Sequence, residues 1–251
     1  MVEVPRRALG KSALNVPLLA LGTVKIGRNT GLKLPSFELP SDAAVQDLLA
    51  TARDVGVNLI DTAPAYGSSE ERLGALLPGH RQDWLLCSKV GEAFDGRSST
   101  WDFSPAQVSV SVTNSLQRLR TDYLDIVLVH SDGSDADIVE RYGTLEQLAE
   151  LKAKGLIRAI GLSSKSAAGG LRALPYVDVI MATLNAEDRS EADLIEQASA
   201  QGVGVLVKKP LGSGRLPISS LAQRSLNTPK KPTSNTTKSR LLFFSTLWGN
   251  I

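Results

Sequence analysis

Hydrophobic and polar positions form two alternating patterns along most of the chain. Short continuous apolar runs, typical of strands buried on both faces, occur at 18–22, 58–61, 84–89, 124–130, 157–162, 177–183 and 203–207. Segments with apolar residues at helical spacing lie between them, at 41–55, 69–77, 104–119, 144–155, 165–174 and 191–201. The pattern therefore predicts strands and helices in strict alternation.

This alternation is typical of parallel sheets built from βαβ units. Its regular spacing favours a (β/α)8 barrel of the TIM type over a doubly wound sheet, and no Gly-x-Gly-x-x-Gly follows the first strand. Residues 7–16 predict a small hairpin before the barrel. We expect a parallel α/β barrel that is incomplete: seven strands are recognisable, and the eighth strand and the last helices are missing.

The chain changes character after residue 216. No Asp or Glu follows Glu196, and 217–240 are rich in Ser, Thr, Lys, Asn and Pro, a composition that does not bury a helix face. We expect a barrel domain at 1–216 and an atypical, disordered tail at 217–251, of the kind that a truncated or frameshifted reading frame produces. The apolar stretch 241–248 is a candidate surrogate eighth strand; without one, the strands at 18–22 and 203–207 would have unpaired edges.

The composition of the chain restricts the classes of protein to which it could belong. A net charge of +2 over 251 residues is near neutral, and the basic excess lies in the predicted tail, so we expect no nucleic-acid partner. The single cysteine, Cys87, excludes an intramolecular disulfide. No apolar run approaches the roughly 18 residues of a spanning helix, and the N-terminus lacks a signal-peptide core. We expect a cytoplasmic protein without membrane contact, and the oligomeric state stays open.

Three successive predicted strands end on an ionisable residue: Asp61, Lys89 and His130. The carboxyl ends of barrel strands open into one shared mouth, so these side chains should meet there. Tyr66 lies on the Pro/Gly-marked loop just after Asp61. The two-residue strand period also places Cys87 inside the barrel with Lys89. The sequence therefore predicts a candidate catalytic group at this mouth.

Each of these residues taken alone is more often structural, because strand-end aspartates cap turns and lone histidines are usually satisfied core residues. The four together suit proton donation to a carbonyl oxygen. Lys89 would favour the phenolate of Tyr66 and so lower its pKa, Asp61 would hold Lys89, and His130 would orient the substrate oxygen. The hydride of such a reduction must come from a cofactor.

One set of residues occurs in a recognisable order: Asp61-Thr62-Ala63-x-x-Tyr66-Gly67, Glu70, Gly74, Ser88-Lys89 and Val129-His130-Ser131. In this set the chain resembles the aldo-keto reductases over about residues 6–216. The resemblance implies an NADPH-dependent barrel enzyme that reduces aldehydes or ketones to alcohols, with Tyr66 as proton donor and Asp61, Lys89 and His130 completing a catalytic tetrad. It also implies a small-molecule carbonyl substrate and no metal.

The resemblance further implies the cofactor-binding residues: Ser163, Ser164 and Asn185 around the nicotinamide, and Pro210, Leu211, Gly212, Ser213 and Gly214 over the pyrophosphate. The family often has Asn at the position of Ser164. Lys208-Lys209 replaces the family's aromatic-containing stretch. The segment that holds the 2′-phosphate is not recognisable, so the expected cofactor is NADPH or NADP, with NAD not excluded.

Three other readings remain open, one of which is an inactive truncated member of the family. A non-catalytic nicotinamide-binding regulatory subunit would resemble the potassium-channel β subunits, which are similar to this family. A lyase or isomerase on the same barrel is disfavoured by the Asp-Tyr-Lys-His set. The loops 28–40 and 92–103 contain Phe37, Phe94, Trp101 and Phe103, from which we expect an aromatic-lined pocket for a small carbonyl.

Overall fold

A computed structural model describes residues 4–32, 36–214, 216 and 242–245, the last four and residue 214 by their backbone alone. Its centre is a closed barrel in which every neighbouring pair of strands is parallel. The barrel strands, in chain order, are β3 (Leu19–Gly22), β4 (Leu59–Asp61), β5 (Leu85–Val90), β8 (Leu124–His130), β9 (Ile157–Ser163), β10 (Val179–Thr183), β11 (Gly204–Lys208) and β12 (Leu242–Ser245). The parallel α/β barrel predicted from the sequence is confirmed.

Six of the eight helices among the described residues fall where the helical spacing predicts them. The eight helices are α1 (Val24–Gly27), α2 (Asp42–Asp54), α3 (Ser69–Leu76), α4 (Pro105–Leu119), α5 (Asp135–Glu140), α6 (Thr144–Ala153), α7 (Ala167–Ala173) and α8 (Ala192–Gln201). Ser41 caps α2 by accepting a hydrogen bond from the Ala44 N–H at 3.2 Å, and Ser104 caps α4 in the same way. The short α1 and α5 were not predicted, because they hold too few residues to show a helical period.

The barrel has a strand at its eighth position, which corrects the expectation that this strand is missing. Strand β12 pairs with β11 through Leu206 and Val207, and with β3 through Leu19, Ala20 and Leu21. It lies within 241–248, the candidate surrogate strand in the predicted tail. Both edges that would otherwise be unpaired therefore have partners. The rest of 217–251 lies outside the described residues.

A hairpin closes the N-terminal end of the barrel, as the sequence predicts. Its strands are β1 (Arg6–Ala8) and β2 (Asn15–Pro17), which pair antiparallel. Buried Leu9, Leu14 and Val16 pack in the same apolar cluster as the inward-facing side chains of the barrel strands. Apolar side chains therefore fill the interior at this end, and the cavity described below lies at the opposite end.

A second hairpin, β6 (Glu92–Phe94) and β7 (Ser99–Trp101), follows β5 at the open end. The sequence predicts a loop here, because three-residue strands are too short to show alternation. A larger apolar cluster packs the outer face of the barrel strands against the helices. Within the described residues, no helix is both long and apolar enough to cross a membrane.

The strand period produces a polar layer at the open end. The apolar inward positions of the lower barrel, such as Leu59, Cys87 and Leu128, belong to the interior cluster. In six of the barrel strands the inward position nearest the open end is polar, and these polar positions are Asp61, Lys89, His130, Ser163, Thr183 and Lys208. Every one of them lines the same cavity.

Candidate active site

Lys89 and Asp61 form a buried ion pair at the base of the open end. Lys89 Nζ lies 2.6 Å from Asp61 Oδ1 and donates a second hydrogen bond to the Thr62 carbonyl oxygen at 2.9 Å. Burial lowers the pKa of Lys89, but the charge of Asp61 and the neighbouring acids outweigh it, and the pKa lies above its ordinary value. Lys89 is therefore a permanent cation.

Tyr66 lies at the end of a short 3-10 turn (Pro64–Tyr66) after β4. The next residue, Gly67, has φ +59°, and a Cβ there would lie 2.2 Å from the Gly27 carbonyl oxygen. The Ser68 N–H donates to the same oxygen at 3.1 Å. This close approach of α1 to the turn requires glycine and fixes the position of Tyr66 against the barrel.

The phenol of Tyr66 is next to the buried cation. Lys89 Nζ lies 4.7 Å from the ring centroid. Burial raises the pKa of Tyr66 to about 12, although Lys89 acts in the opposite direction. The prediction that Lys89 brings this pKa below its ordinary value is therefore corrected: desolvation outweighs the cation. In consequence Tyr66 retains its proton throughout the neutral range.

His130 completes the group at the end of β8. Its ring meets Tyr66 edge to face, with centroids 6.3 Å apart. Its Nδ1 lies 2.7 Å from Glu92 Oε2, which is within ion-pair distance. The geometry of this contact is not that of a well-directed hydrogen bond. Burial lowers the pKa of His130, with Lys89 and Lys165 acting in the same direction and Glu92 opposing.

The four residues predicted to be catalytic therefore lie together and line one cavity of about 750 Å³. Cationic side chains outnumber carboxylates in its lining: Lys25, Arg28, Lys89, Lys165, Lys208 and Lys209 against Asp61, Glu92, Asp188 and Glu191. Such a cavity favours an anionic ligand. Among the described residues, no group of three or more His, Cys, Asp or Glu has the arrangement of a metal site.

The side of the cavity opposite Tyr66 contains most of the residues predicted to bind the cofactor. Ser163 and Ser164 are buried and line the cavity. Ser163 Oγ accepts a hydrogen bond from Lys208 Nζ at 3.2 Å, and Lys208 also donates to the Ser164 carbonyl oxygen. Ser164 Oγ donates to Glu191 Oε1 at 2.7 Å. Hydroxyl groups and a cation therefore form this wall.

The loop after β11 continues that wall. Pro210, Leu211 and Ser213 line the cavity, and Gly212 and Gly214 lie beside them in the turn Gly212–Gly214. Lys209, Gly212 and Ser213 have φ values of +54°, +56° and +62°. Left-handed residues of this kind turn backbone N–H groups toward one side, an arrangement that suits an anion.

Asn185 lies beside the cavity and is not among its lining residues. Its Nδ2 donates to the Lys209 carbonyl oxygen at 3.1 Å, and its Oδ1 accepts from the N–H groups of Glu187 and Asp188. These contacts hold the loop after β11 against the loop after β10. A direct contact of Asn185 with a nicotinamide stays a prediction.

A family model described as the Aldo/keto reductase family matches residues 18–247. The chain belongs to the aldo/keto reductase family. The matched residues include β12, so they extend across the domain boundary that the sequence predicts at residue 216. Among solved structures, a Pseudomonas aeruginosa protein described as an aldo-keto reductase has a TM-score of 0.82 and 48% identity, over 96% of this chain and 88% of that chain.

Two curated relatives of the chain are oxidoreductases by their names. The NADH-specific methylglyoxal reductase of Escherichia coli is 32% identical over 233 residues, 86% of this chain and 69% of the relative. An uncharacterized oxidoreductase of Bacillus subtilis is 33% identical over 163 residues, 63% of this chain and 48% of the relative. The chain thus spans between about half and about two thirds of the length of these relatives.

Sequence reasoning missed three residues of this aldo/keto reductase site. Glu92 contacts His130, Arg28 contacts Glu92 at 3.8 Å, and Glu191 supports Ser164 and the Thr183 N–H. A weak signal existed for Glu92, which follows the lysine-bearing strand by two residues in a segment with aromatic side chains. Nothing local distinguishes Arg28 or Glu191 from a solvated surface charge.

Proposed function

We propose that this protein reduces a small aldehyde or ketone to the alcohol, with a nicotinamide cofactor as hydride donor. The observation that carries the proposal is the arrangement of Tyr66 between Lys89 and His130 at the open end of the barrel. A protonated phenol beside a permanent cation is suited to donate a proton as negative charge develops on a carbonyl oxygen.

The proton route follows from the contacts. Tyr66 holds its proton in the free protein, because its pKa is about 12. As the oxygen of the substrate becomes basic, Tyr66 donates its proton, and the positive charge of Lys89 stabilises the phenolate that is left. Asp61 keeps Lys89 charged and in position through the 2.6 Å contact. His130 supplies a second polar group toward the oxygen.

The residues opposite Tyr66 fit a nicotinamide dinucleotide. Ser163, Ser164 and Thr183 offer polar groups to a carboxamide, and the left-handed loop Lys209–Ser213 offers backbone N–H groups to a pyrophosphate. The bound cofactor would supply the hydride that reduces the carbonyl carbon. NADPH or NADP is the proposed cofactor; the NADH specificity of the Escherichia coli relative makes NADH the comparison to include.

The test is titration of the purified chain with NADPH and with NADH, followed by a screen of small aldehydes, ketones and 2-oxoaldehydes. We expect saturable binding and carbonyl-dependent oxidation of the reduced cofactor, read at its nicotinamide absorbance. Binding without turnover would select a regulatory nicotinamide-binding protein instead. Failure to bind either cofactor would overturn the proposal.

Lys208 provides a pH-dependent prediction for cofactor binding. Burial lowers its pKa to about 8, with Lys165 and Lys209 acting in the same direction and Glu191 opposing. The side chain is therefore charged below pH 8 and loses its attraction for an anion above it. We expect the NADPH dissociation constant to rise by at least about fivefold between pH 7 and pH 9, because one contact between unit charges contributes ~1 kcal/mol even in bulk water.

Lys208→Met should bind NADPH more weakly at pH 7 and should lose this pH dependence, as measured by nicotinamide fluorescence. The control is Lys154→Met, which removes an exposed lysine at the C-terminus of α6 and should bind as the parent does. An unchanged slope in Lys208→Met would assign the pH dependence to another group.

A further inference from the structure

The hairpin β6–β7 brings a carboxylate to the active-site cavity. Glu92 begins this hairpin, and only 13% of its side chain is exposed. Its two oxygens have different partners: Oε2 lies 2.7 Å from His130 Nδ1, and Oε1 accepts a hydrogen bond from Ser99 Oγ at 2.6 Å. The carboxylate is thus held between the opposite strand of the hairpin and the end of β8.

Arg28 fixes this hairpin to the rest of the site. Its Nη1 lies 3.8 Å from Glu92 Oε1 and donates to the Ala65 carbonyl oxygen at 2.9 Å, next to Tyr66. Its guanidinium lies 3.6 Å from the ring centroid of Phe94 on the hairpin. The loop after β3, the turn that carries Tyr66 and the hairpin are therefore joined by one buried side chain, which leaves Glu92 little freedom to move away from His130.

We propose that Glu92 is a positioning residue that acts through His130. Its carboxylate holds the Nδ1 side of the imidazole and sets the protonation of the ring, which leaves Nε2 as the nitrogen available to the cavity. Naming a carbonyl oxygen as the group that Nε2 faces rests on the proposed function. The pairing of Glu92 with His130 does not.

The charges around His130 make the role of Glu92 measurable. Lys89 from β5 and Lys165 from the segment after β9 both disfavour the imidazolium, as does burial. Glu92 is the acid that opposes them. Its own pKa is lowered to about 2: burial would raise it, but His130, Ser99 and Arg28 outweigh burial. Glu92 is therefore ionised wherever His130 titrates, so its removal should lower the pKa of His130.

The experiment is a histidine ring titration by NMR on the full chain and on Glu92→Gln. The chain contains two histidines, and His80 lies exposed in the loop before β5, so it provides an internal reference. We expect the pKa of His130 to fall by ~1 unit in Glu92→Gln, the usual effect of one contacting opposite charge, with the His80 signals of the same sample as the reference.

The matched control is Asp95→Asn, which removes the same charge from the turn of the same hairpin. Asp95 is exposed, and its carboxylate accepts hydrogen bonds from Arg97 and Ser98 rather than from His130. Its variant should leave the pKa of His130 unchanged. Equal pKa values for His130 in the two variants would overturn the proposal. If Glu92→Gln loses its cooperative melt, Glu92→Ala removes the same carboxylate and is judged by the same shift.

A second measurement separates this inference from the proposed function. Where the parent turns over a carbonyl with NADPH, the limb of its kcat/KM profile that reports the ionisation of His130 should move to lower pH in Glu92→Gln and not in Asp95→Asn. A parent that does not turn over contradicts the proposed function, and the NMR titration still decides the role of Glu92. A profile that stays fixed while the pKa of His130 shifts would remove Glu92 from the reaction.

Discussion

Tyr66→Phe is expected to lower the rate of carbonyl reduction by about 10²- to 10⁴-fold, the usual contribution of a positioned general acid. The ring and its contact with Lys89 are retained, so NADPH affinity and the melting temperature should change little. The measurement is kcat/KM with a carbonyl found in the substrate screen, together with a cofactor titration.

The control for this variant is Tyr176→Phe. Tyr176 is exposed and lies on the 3-10 turn after α7, away from the cavity lining. The Tyr176→Phe substitution removes the same hydroxyl group from a tyrosine outside the site, so carbonyl reduction and NADPH affinity should both stay unchanged. Turnover near the parental rate in Tyr66→Phe would show that another group delivers the proton.

Lys89→Met is expected to remove most of the activity and to destabilise the fold. The phenolate left after proton transfer would lose the cation that stabilises it, so kcat should fall. Asp61 would remain buried without its partner, and breaking one side of a buried ion pair costs on the order of 3–5 kcal/mol. Thermal or urea unfolding measures the second effect and a carbonyl assay the first.

A double variant separates the two effects of Lys89→Met. Asp61→Asn in the same chain removes the uncompensated charge, so Asp61→Asn/Lys89→Met should regain part of the lost stability. Its activity should stay as low as that of Lys89→Met, because the cation beside Tyr66 is still absent. Recovery of turnover together with stability would mean that Lys89 has a structural role alone.

The fold was predictable from the chain because its determinants are local. A run such as Leu124–His130 is apolar at every position except Asp125 and its last residue, and the capping residue Ser41 precedes a helical pattern that ends near Gly56. The positions of Lys89 and His130 at successive strand ends predicted that both lie at the mouth of the barrel, and both line the cavity there. Alternating strands and helices then leave few arrangements other than a parallel barrel.

The pairing of the eighth strand could not be predicted from local patterns. Leu242–Ser245 closes the barrel between β11 and β3, but no helical pattern connects it to the strand before it. One of its partners is β3, which lies near the other end of the chain. The local sequence of a segment does not specify so distant a pairing partner. The sequence could therefore suggest that 241–248 is a strand candidate and could not decide that it joins the sheet.

The sequence by itself determined the barrel, the positions of Asp61, Tyr66, Lys89 and His130, and the family resemblance, since all of these depend on residue types at short, regular spacing. The tertiary structure decided two further matters. It brought Glu92, at the start of β6, to His130 at the end of β8, a contact that no spacing encodes. It also raised the pKa of Tyr66 to about 12, because the desolvation of a side chain depends on everything packed around it and not on its neighbours in the chain.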